Sequence, residues 1–149
     1  MKYSHTQRGK LDILLMVVAL ACFVPAFYIH DPSAYWLSGG VGVILLFAAA
    51  CFSWLRVEDE GDHLKIQYGP LPVFSKRIPY GIIHEIHEEK SALIDGWGIH
   101  YIPLRGWTYN LWGFDCVRLK TTMGTIRVGT DDPQGLAEFL RQKLEPVNA

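Results

Sequence analysis

Two uninterrupted apolar runs near the start of the chain constrain its fold more than any other feature. Leu11 to Ile29 is 19 residues with a single charge, Asp12, at its edge, and Ala34 to Leu55 is 22 residues with none. At a helical rise of about 1.5 Å per residue, each run is long enough to cross a hydrocarbon core of roughly 30 Å. The first holds ten Leu, Ile, Phe or Val residues between Ile13 and Ile29, and the second holds nine. At roughly −0.3 to −0.6 kcal/mol apiece, both favour lipid by a few kcal/mol, with residues near the ends counting for less.

Lys2, Arg8 and Lys10 followed by Ala19-Leu20-Ala21 imitate a cleavable leader. A mature chain normally turns polar after such a site, whereas here Phe23, Val24, Ala26 and Phe27 continue the apolar run. The same continuation argues against a lipid-modified Cys22. Pro25 is expected to kink the first helix without ending it. Only His30, Asp31, Pro32 and Ser33 separate the runs, so the expectation is an antiparallel helical hairpin. Ser38, Gly39, Gly40 and Gly42 would face Ala19, Ala21 and Cys22 and let the backbones approach.

Lys2, Arg8 and Lys10 precede the hairpin, Arg56 follows it, and the connection has no Lys or Arg. The positive-inside rule then predicts that both ends are cytoplasmic. Tyr28, Tyr35 and Trp36 would lie at the outer interface and Phe52 and Trp54 at the inner one. The expected organisation is a cytoplasmic segment 1–10, a transmembrane hairpin 11–55 (spans 11–29 and 34–55) and a cytoplasmic domain 56–149. Cys22 and Cys51 would sit at different depths, unbridged, and Cys116 would be a reduced, buried small hydrophobe.

The 94 residues from Arg56 onward suffice for one modest core and carry 11 Lys and Arg against 13 Asp and Glu. Charge this balanced and dispersed gives no electrostatic footprint for nucleic acid. Arg56–Asp59 and His63–Tyr68 read as a hairpin across Glu60-Gly61-Asp62, and Gly69 to Pro72 breaks the chain before a strand at Phe74–Ile78. Ile82–Glu88 suits strand or helix and is read as strand. The aromatic, glycine-interrupted tract from Gly96 to Phe114 favours extended chain. Val117 and Leu119 alternate with Arg118 and Lys120, Met123-Gly124 turns, and Ile126 and Val128 alternate with Thr125 and Arg127, a half-buried hairpin. Asp132 as N-cap, Pro133 at the first helical position, and Leu136, Phe139, Leu140 and Leu144 on one stripe predict an amphipathic C-terminal helix that Pro146 stops. About seven strands and that helix make a small bent antiparallel sheet or barrel plugged by the helix.

Gly96-Trp97-Gly98-Ile99, Gly106-Trp107-Thr108-Tyr109-Asn110, Val117-Arg118-Leu119 before Gly124, and Gly129-Thr130-Asp131-Asp132-Pro133 occur here in one order. Together with the two preceding spans, this order resembles small bacterial membrane proteins with a pleckstrin-homology-like (PH-like) domain, over most of Arg56 to Leu144. The resemblance implies a PH-like barrel and a bacterial inner membrane, in a family largely without assigned activity.

Candidate chemistry is sparse. His84-Glu85-Ile86-His87-Glu88-Glu89 would bring two imidazoles to one face only as a helix, and its spacing differs from the four-residue separation of zinc proteases. A metal-assisted enzyme using His84 and His87 at the membrane surface is therefore the competing reading. The chain has no nucleophile elbow, phosphate loop or dinucleotide fingerprint, and no cofactor is expected. The first hairpin turn is acidic, Glu58 to Asp62, where a phosphoinositide site needs basic residues. Lys76 and Arg77 form the only adjacent basic pair in this domain and would make at most a weak anionic-headgroup contact. Arg105 and Trp112, in the aromatic tract, are the nominated partner contact, since at least one large aromatic is hard to bury in so small a domain. The leading expectation is a non-enzymatic, membrane-anchored interaction module whose partner is another protein or a second copy of the chain.

Overall fold

The computed structural model describes residues 2–28, 31–92 and 96–144, and within this range nothing is said of the side chains of residues 26 and 27. The expected end of the first span at Ile29, the connecting His30 and the stop at Pro146 lie outside the described residues.

The chain opens with a strand, Ser4–Arg8 (β1), and enters a helix, Leu11–Phe23 (α1), continued by a 3-10 turn over Val24–Phe27. A second helix, Pro32–Cys51 (α2), starts at Asp31, whose side chain accepts the Ser33 amide. Eight strands follow: Trp54–Asp59 (β2), His63–Gly69 (β3), Ser75–Pro79 (β4), Ile83–Lys90 (β5), Gly98–Ile102 (β6), Gly106–Asn110 (β7), Asp115–Thr121 (β8) and Gly124–Gly129 (β9). Pro133–Leu144 (α3) completes the order.

Three features depart from the expected organisation. Segment 1–10, expected as a separate piece ahead of the hairpin, contributes a strand to the sheet domain, Ser4–Arg8 pairing antiparallel with Trp54–Asp59, Thr6 opposite Arg56. The span expected over 11–29 is α-helical only to Phe23. Pro25 has no N–H for the helical ladder, and the chain tightens into the 3-10 turn there. The span expected over 34–55 begins at Pro32 and ends at Cys51. Trp54 and Leu55 belong to β2, where ladder pairing with Tyr68 and Gly69 outweighs an apolar composition that suits a helix equally well. Pro32–Cys51 is the one described helix that is long and apolar enough by itself to cross a membrane, with mean hydropathy 1.8 and 17% of its most apolar window buried.

The two helices pack against each other. Gly42 is the point of closest approach, since a Cβ built there would stand 2.7 Å from the Phe23 ring and 3.2 Å from the Ala19 carbonyl oxygen. Gly39 and Gly40 have open space instead, so only Gly42 of the glycines expected at the helix interface serves there.

The strands form two sheets that do not close into a barrel. One is antiparallel throughout in the order β1-β2-β3-β4, and the other runs β5-β8-β9-β7-β6. In the second sheet β7 and β9 pair parallel, a departure from the expected antiparallel sheet. Alternation sets the core face, with Leu55 and Val57 buried around exposed Arg56, and Leu64, Ile66 and Tyr68 buried between half-buried polar residues. These meet Val117, Leu119 and Val128 of the second sheet and Leu136 and Leu140 of α3 in one hydrophobic cluster. The helix is capped as its sequence predicts, the Asp132 carboxylate accepting the Gly135 amide at 3.1 Å. Its Phe139 stacks on Tyr3 at 5.3 Å, and the Tyr3 hydroxyl donates to Asp132 at 3.2 Å. The segment before β1 is thereby joined to the C-terminal helix.

Candidate functional site

The histidine-rich segment is strand β5, as the sequence reading favours, so the helix that the metal alternative needs is not formed. Its carboxylates are held by cations. Glu85 pairs with Lys120 at 2.8 Å and with His87 at 3.1 Å, Glu88 with Arg141 at 3.2 Å, and Glu89 with Arg118 at 3.0 Å and Arg127 at 3.4 Å. Among the described residues no three His, Cys, Asp or Glu side chains are grouped to hold a metal ion. The described cysteines are all free thiols.

The acidic first turn is similarly occupied. Gly61 takes φ +96°, a conformation open to glycine, and tightens the hairpin so that its carboxylates converge. Lys65 reaches Glu60 at 2.8 Å and Glu58 at 3.0 Å, His63 reaches Glu60 at 2.6 Å, and Arg77 reaches it at 3.0 Å. The Lys65 ammonium, with His63 and Arg77 beside it, holds the Glu60 carboxyl down at about 2. Burial pushes Asp59 up, but the Gly61 amide, the Tyr80 hydroxyl and Lys143 together outweigh it and leave the carboxyl below its usual range. In turn, burial and the Asp59 carboxylate raise the Tyr80 hydroxyl. The whole cluster ties the β2–β3 turn to β4 and α3, and Lys65, Arg77 and Lys143 offset most of the charge of its carboxylates.

Of the nominated contact residues, Lys76 and Arg77 lie exposed on β4, Arg77 drawn toward Glu60. Arg105 and Trp112 fall beyond opposite ends of β7 and are not brought together. Trp112 is half-buried, stacks on Trp97 at 4.3 Å, and accepts the Gln7 side-chain amide on its carbonyl at 2.8 Å. Its Cβ also backs onto Gly9, at the foot of α1, where a Cβ would meet it at 2.7 Å. Trp112 is therefore a joint between the N-terminal segment and the second sheet.

Arg105 belongs to a different surface. Its amide closes the Ile102–Arg105 turn at 3.0 Å, and its carbonyl accepts from the nearly buried Arg127 guanidinium. Leu104, just before it, is held at φ +68° with its side chain wholly in solvent. A branched residue rarely adopts that conformation. Next to it stand exposed Tyr101, Trp107 and Met123, Met123 being 82% exposed at the β8–β9 turn. Tyr101, Leu104, Trp107 and Met123 line one shallow depression of about 300 Å³. Lys76, Arg77 and Ile126 line a second that shares Trp107 and Met123 with the first. Two of the four nominated residues, Lys76 and Arg77, thus line a depression around Trp107 and Met123, and Arg105 follows Leu104, which lines the other.

Sequence reasoning missed that centre because Trp107, Tyr109 and Leu111 share a parity. Trp107 remains 45% exposed where Tyr109 is 8% exposed and Leu111 fully buried, since Trp107 sits where the strand runs out past the core. The signal available was Met123 at the tip of a predicted turn, a large apolar side chain with no core to enter. Compared with known proteins, the chain matches no family model and no curated protein.

Proposed function

We propose that the chain is a membrane-anchored, non-enzymatic interaction module that holds a PH-like scaffold against the cytoplasmic face of a bacterial inner membrane. There it presents the Trp107–Met123 surface to a protein partner or to a second copy of itself. The observation that carries the reading is the pairing of that surface with an anchor at the far end of the same sheet. β7 runs from Trp107, at the surface, to Asn110, and the next two residues, Leu111 and Trp112, pack on Gly9 at the foot of α1.

Several features support the anchor. Thirteen α-helical residues and four 3-10 residues of the first segment span about 28 Å, and the 20 residues of α2 about 30 Å. Val17, Leu20, Trp36, Leu37, Val43 and Ile44 are each at least 60% exposed on the helical pair, and large exposed apolar patches mark protein or membrane contacts. The β1–β2 ladder brings both flanks of the pair to one side, with Arg8, Lys10 and Arg56 together there. Two face-packed sheets with a terminal helix in the core support the PH-like reading, while the parallel β7–β9 pair and the open edges distinguish this scaffold from a closed barrel.

The surface is apolar with a basic border, which suits a partner offering an apolar anchor inside an acidic rim. A photoreactive amino acid at Met123, in native membranes, tests this. The expected result is a discrete protein adduct that Trp107→Ala weakens. The absence of any protein adduct at Met123 overturns the reading, and release of the chain by alkaline carbonate overturns the anchor.

A further inference from the structure

The loop between β3 and β4 is built for a less polar medium than water. Its sequence, Gly69-Pro70-Leu71-Pro72-Val73-Phe74, has no charged or hydrogen-bonding side chain, and two of its six residues have no backbone N–H. The remaining polar backbone is partly used internally: Val73 donates to the Leu71 carbonyl at 2.8 Å, Ser53 donates to Gly69 at 2.9 Å, and Tyr68 donates to Phe74 at 2.9 Å. Leu71, Val73 and Phe74 are nonetheless all exposed, Val73 at 55%. Burying these side chains is favourable, and the two prolines and the bonds just named leave fewer backbone groups to desolvate than an ordinary loop of this length has.

Its position says what covers it. Phe74 stacks at 5.3 Å on Phe52, the residue that ends α2. Gly69 lies flat under the Trp54 indole, closer than any side chain would allow. Pro70 lines a cleft with Arg8, Gly9, Asp12, Ile13 and Trp54, at the start of α1. The loop therefore stands level with the point where both helices meet the sheet domain. Around it, Arg56 lies 4.9 Å over the Trp54 ring, and Arg8 and Lys10 flank α1. Aromatic rings with cationic side chains beside an apolar tip are the composition of a membrane interface.

We infer that Leu71, Val73 and Phe74 dip into the headgroup–acyl boundary of the bilayer that holds the helical pair, giving the sheet domain a third membrane contact. This placement rests on the membrane reading above and goes beyond it. Two adjacent helices alone leave the domain free to rock about its stem, whereas a third contact fixes its tilt. The Trp107–Met123 surface begins at Lys76, two residues after Phe74, and extends from there toward Met123, beyond the other end of β7 from Gly9.

The test is a photoreactive amino acid placed singly at Val17, Val73 and Met123 in the full chain in native membranes, with adducts identified by mass. Val17 faces outward from α1, and Met123 lies on the remote surface. The expected result is phospholipid adducts at Val17 and Val73 and none at Met123. Lipid at Val17 with none at Val73 overturns the loop's placement and leaves the anchor standing. No lipid at Val17 overturns both. A protein adduct at Val73, to a partner or a second copy, overturns the lipid assignment. If the Val73 variant does not accumulate, the same probe at Leu71 gives the same decision.

Discussion

Thr6 and Arg56 face one another across the β1–β2 ladder, 50 residues apart, and the Arg56 Nε donates to the Thr6 hydroxyl at 3.1 Å. Everything between them leaves the sheet and comes back to it. The contact at Gly9 and Trp112 closes the same junction from the second sheet, so the helical pair is clamped to the domain on two sides. Gly9→Val would place its Cβ 2.7 Å from Trp112 and 3.1 Å from Leu111. Overpacking of this kind costs about 1–3 kcal/mol, and thermal unfolding of the detergent-purified protein should show the corresponding drop.

Gly42 and Gly40 make a contrasting pair. Gly42→Ala pushes against the Phe23 ring and the Ala19 carbonyl, separates α1 from α2, and should lower the melting temperature. Gly40→Ala meets open space and should leave it unchanged or slightly raised, alanine being the better helix former by about 1 kcal/mol. Equal effects of the two substitutions would contradict the helix packing described.

Leu104 tests whether the remote surface is retained at a cost to stability. A non-glycine residue in the left-handed region costs roughly 1–2 kcal/mol, and the added freedom of glycine in the unfolded chain returns about 0.4–1 kcal/mol. Leu104→Gly should therefore stabilise the protein by about 1 kcal/mol while weakening the adduct at Met123. Leu64→Ala, in the core, should destabilise it by about 2–5 kcal/mol. A Leu104→Gly protein that is less stable than the parent would show that the turn is held by contacts and not by strain.

The acid limb of the stability curve should depend on Glu60. Its carboxyl is held near 2 in the folded chain and titrates at its ordinary value of about 4.5 when unfolded. The stabilisation is fully present above the unfolded value and is lost as pH falls from there toward 2. Asp59, also lowered, acts in the same direction. Glu60→Gln should lower stability at neutral pH, where the Lys65 and Arg77 pairs are lost, and flatten the fall between about pH 5 and 2 so that the two proteins converge near pH 2, as read by denaturant titrations across that range.

The strands after Arg56 were legible because their alternation is local. Val117 and Leu119 against Arg118 and Lys120 specify a half-buried strand without reference to anything distant, and Asp132-Pro133 marks the start of α3 in the same way. β1 was not legible. His-Thr-Gln-Arg offers no apolar alternation, and its one buried residue, Gln7, is accommodated by the Trp112 carbonyl 105 positions away. Trp54 and Leu55 read as the end of the preceding helix because an apolar strand start looks like a membrane helix, and only ladder pairing decides between them. The Trp107–Met123 surface depends on β7 lying beside β9 in parallel, a pairing between strands separated in sequence by β8, so no single stretch encodes it.

Placing the first strand ahead of the helices also sets an order of assembly. Ser4–Arg8 leaves the ribosome some fifty residues before its mate, which at roughly 5–20 residues per second is an interval of about 3–10 s. Until the mate has been made, the early strand has nothing to zip to, so the sheet is finished only after the chain has doubled back. A nascent chain whose return fails keeps one margin of β2 bare, an unpaired edge open to pairing with another chain.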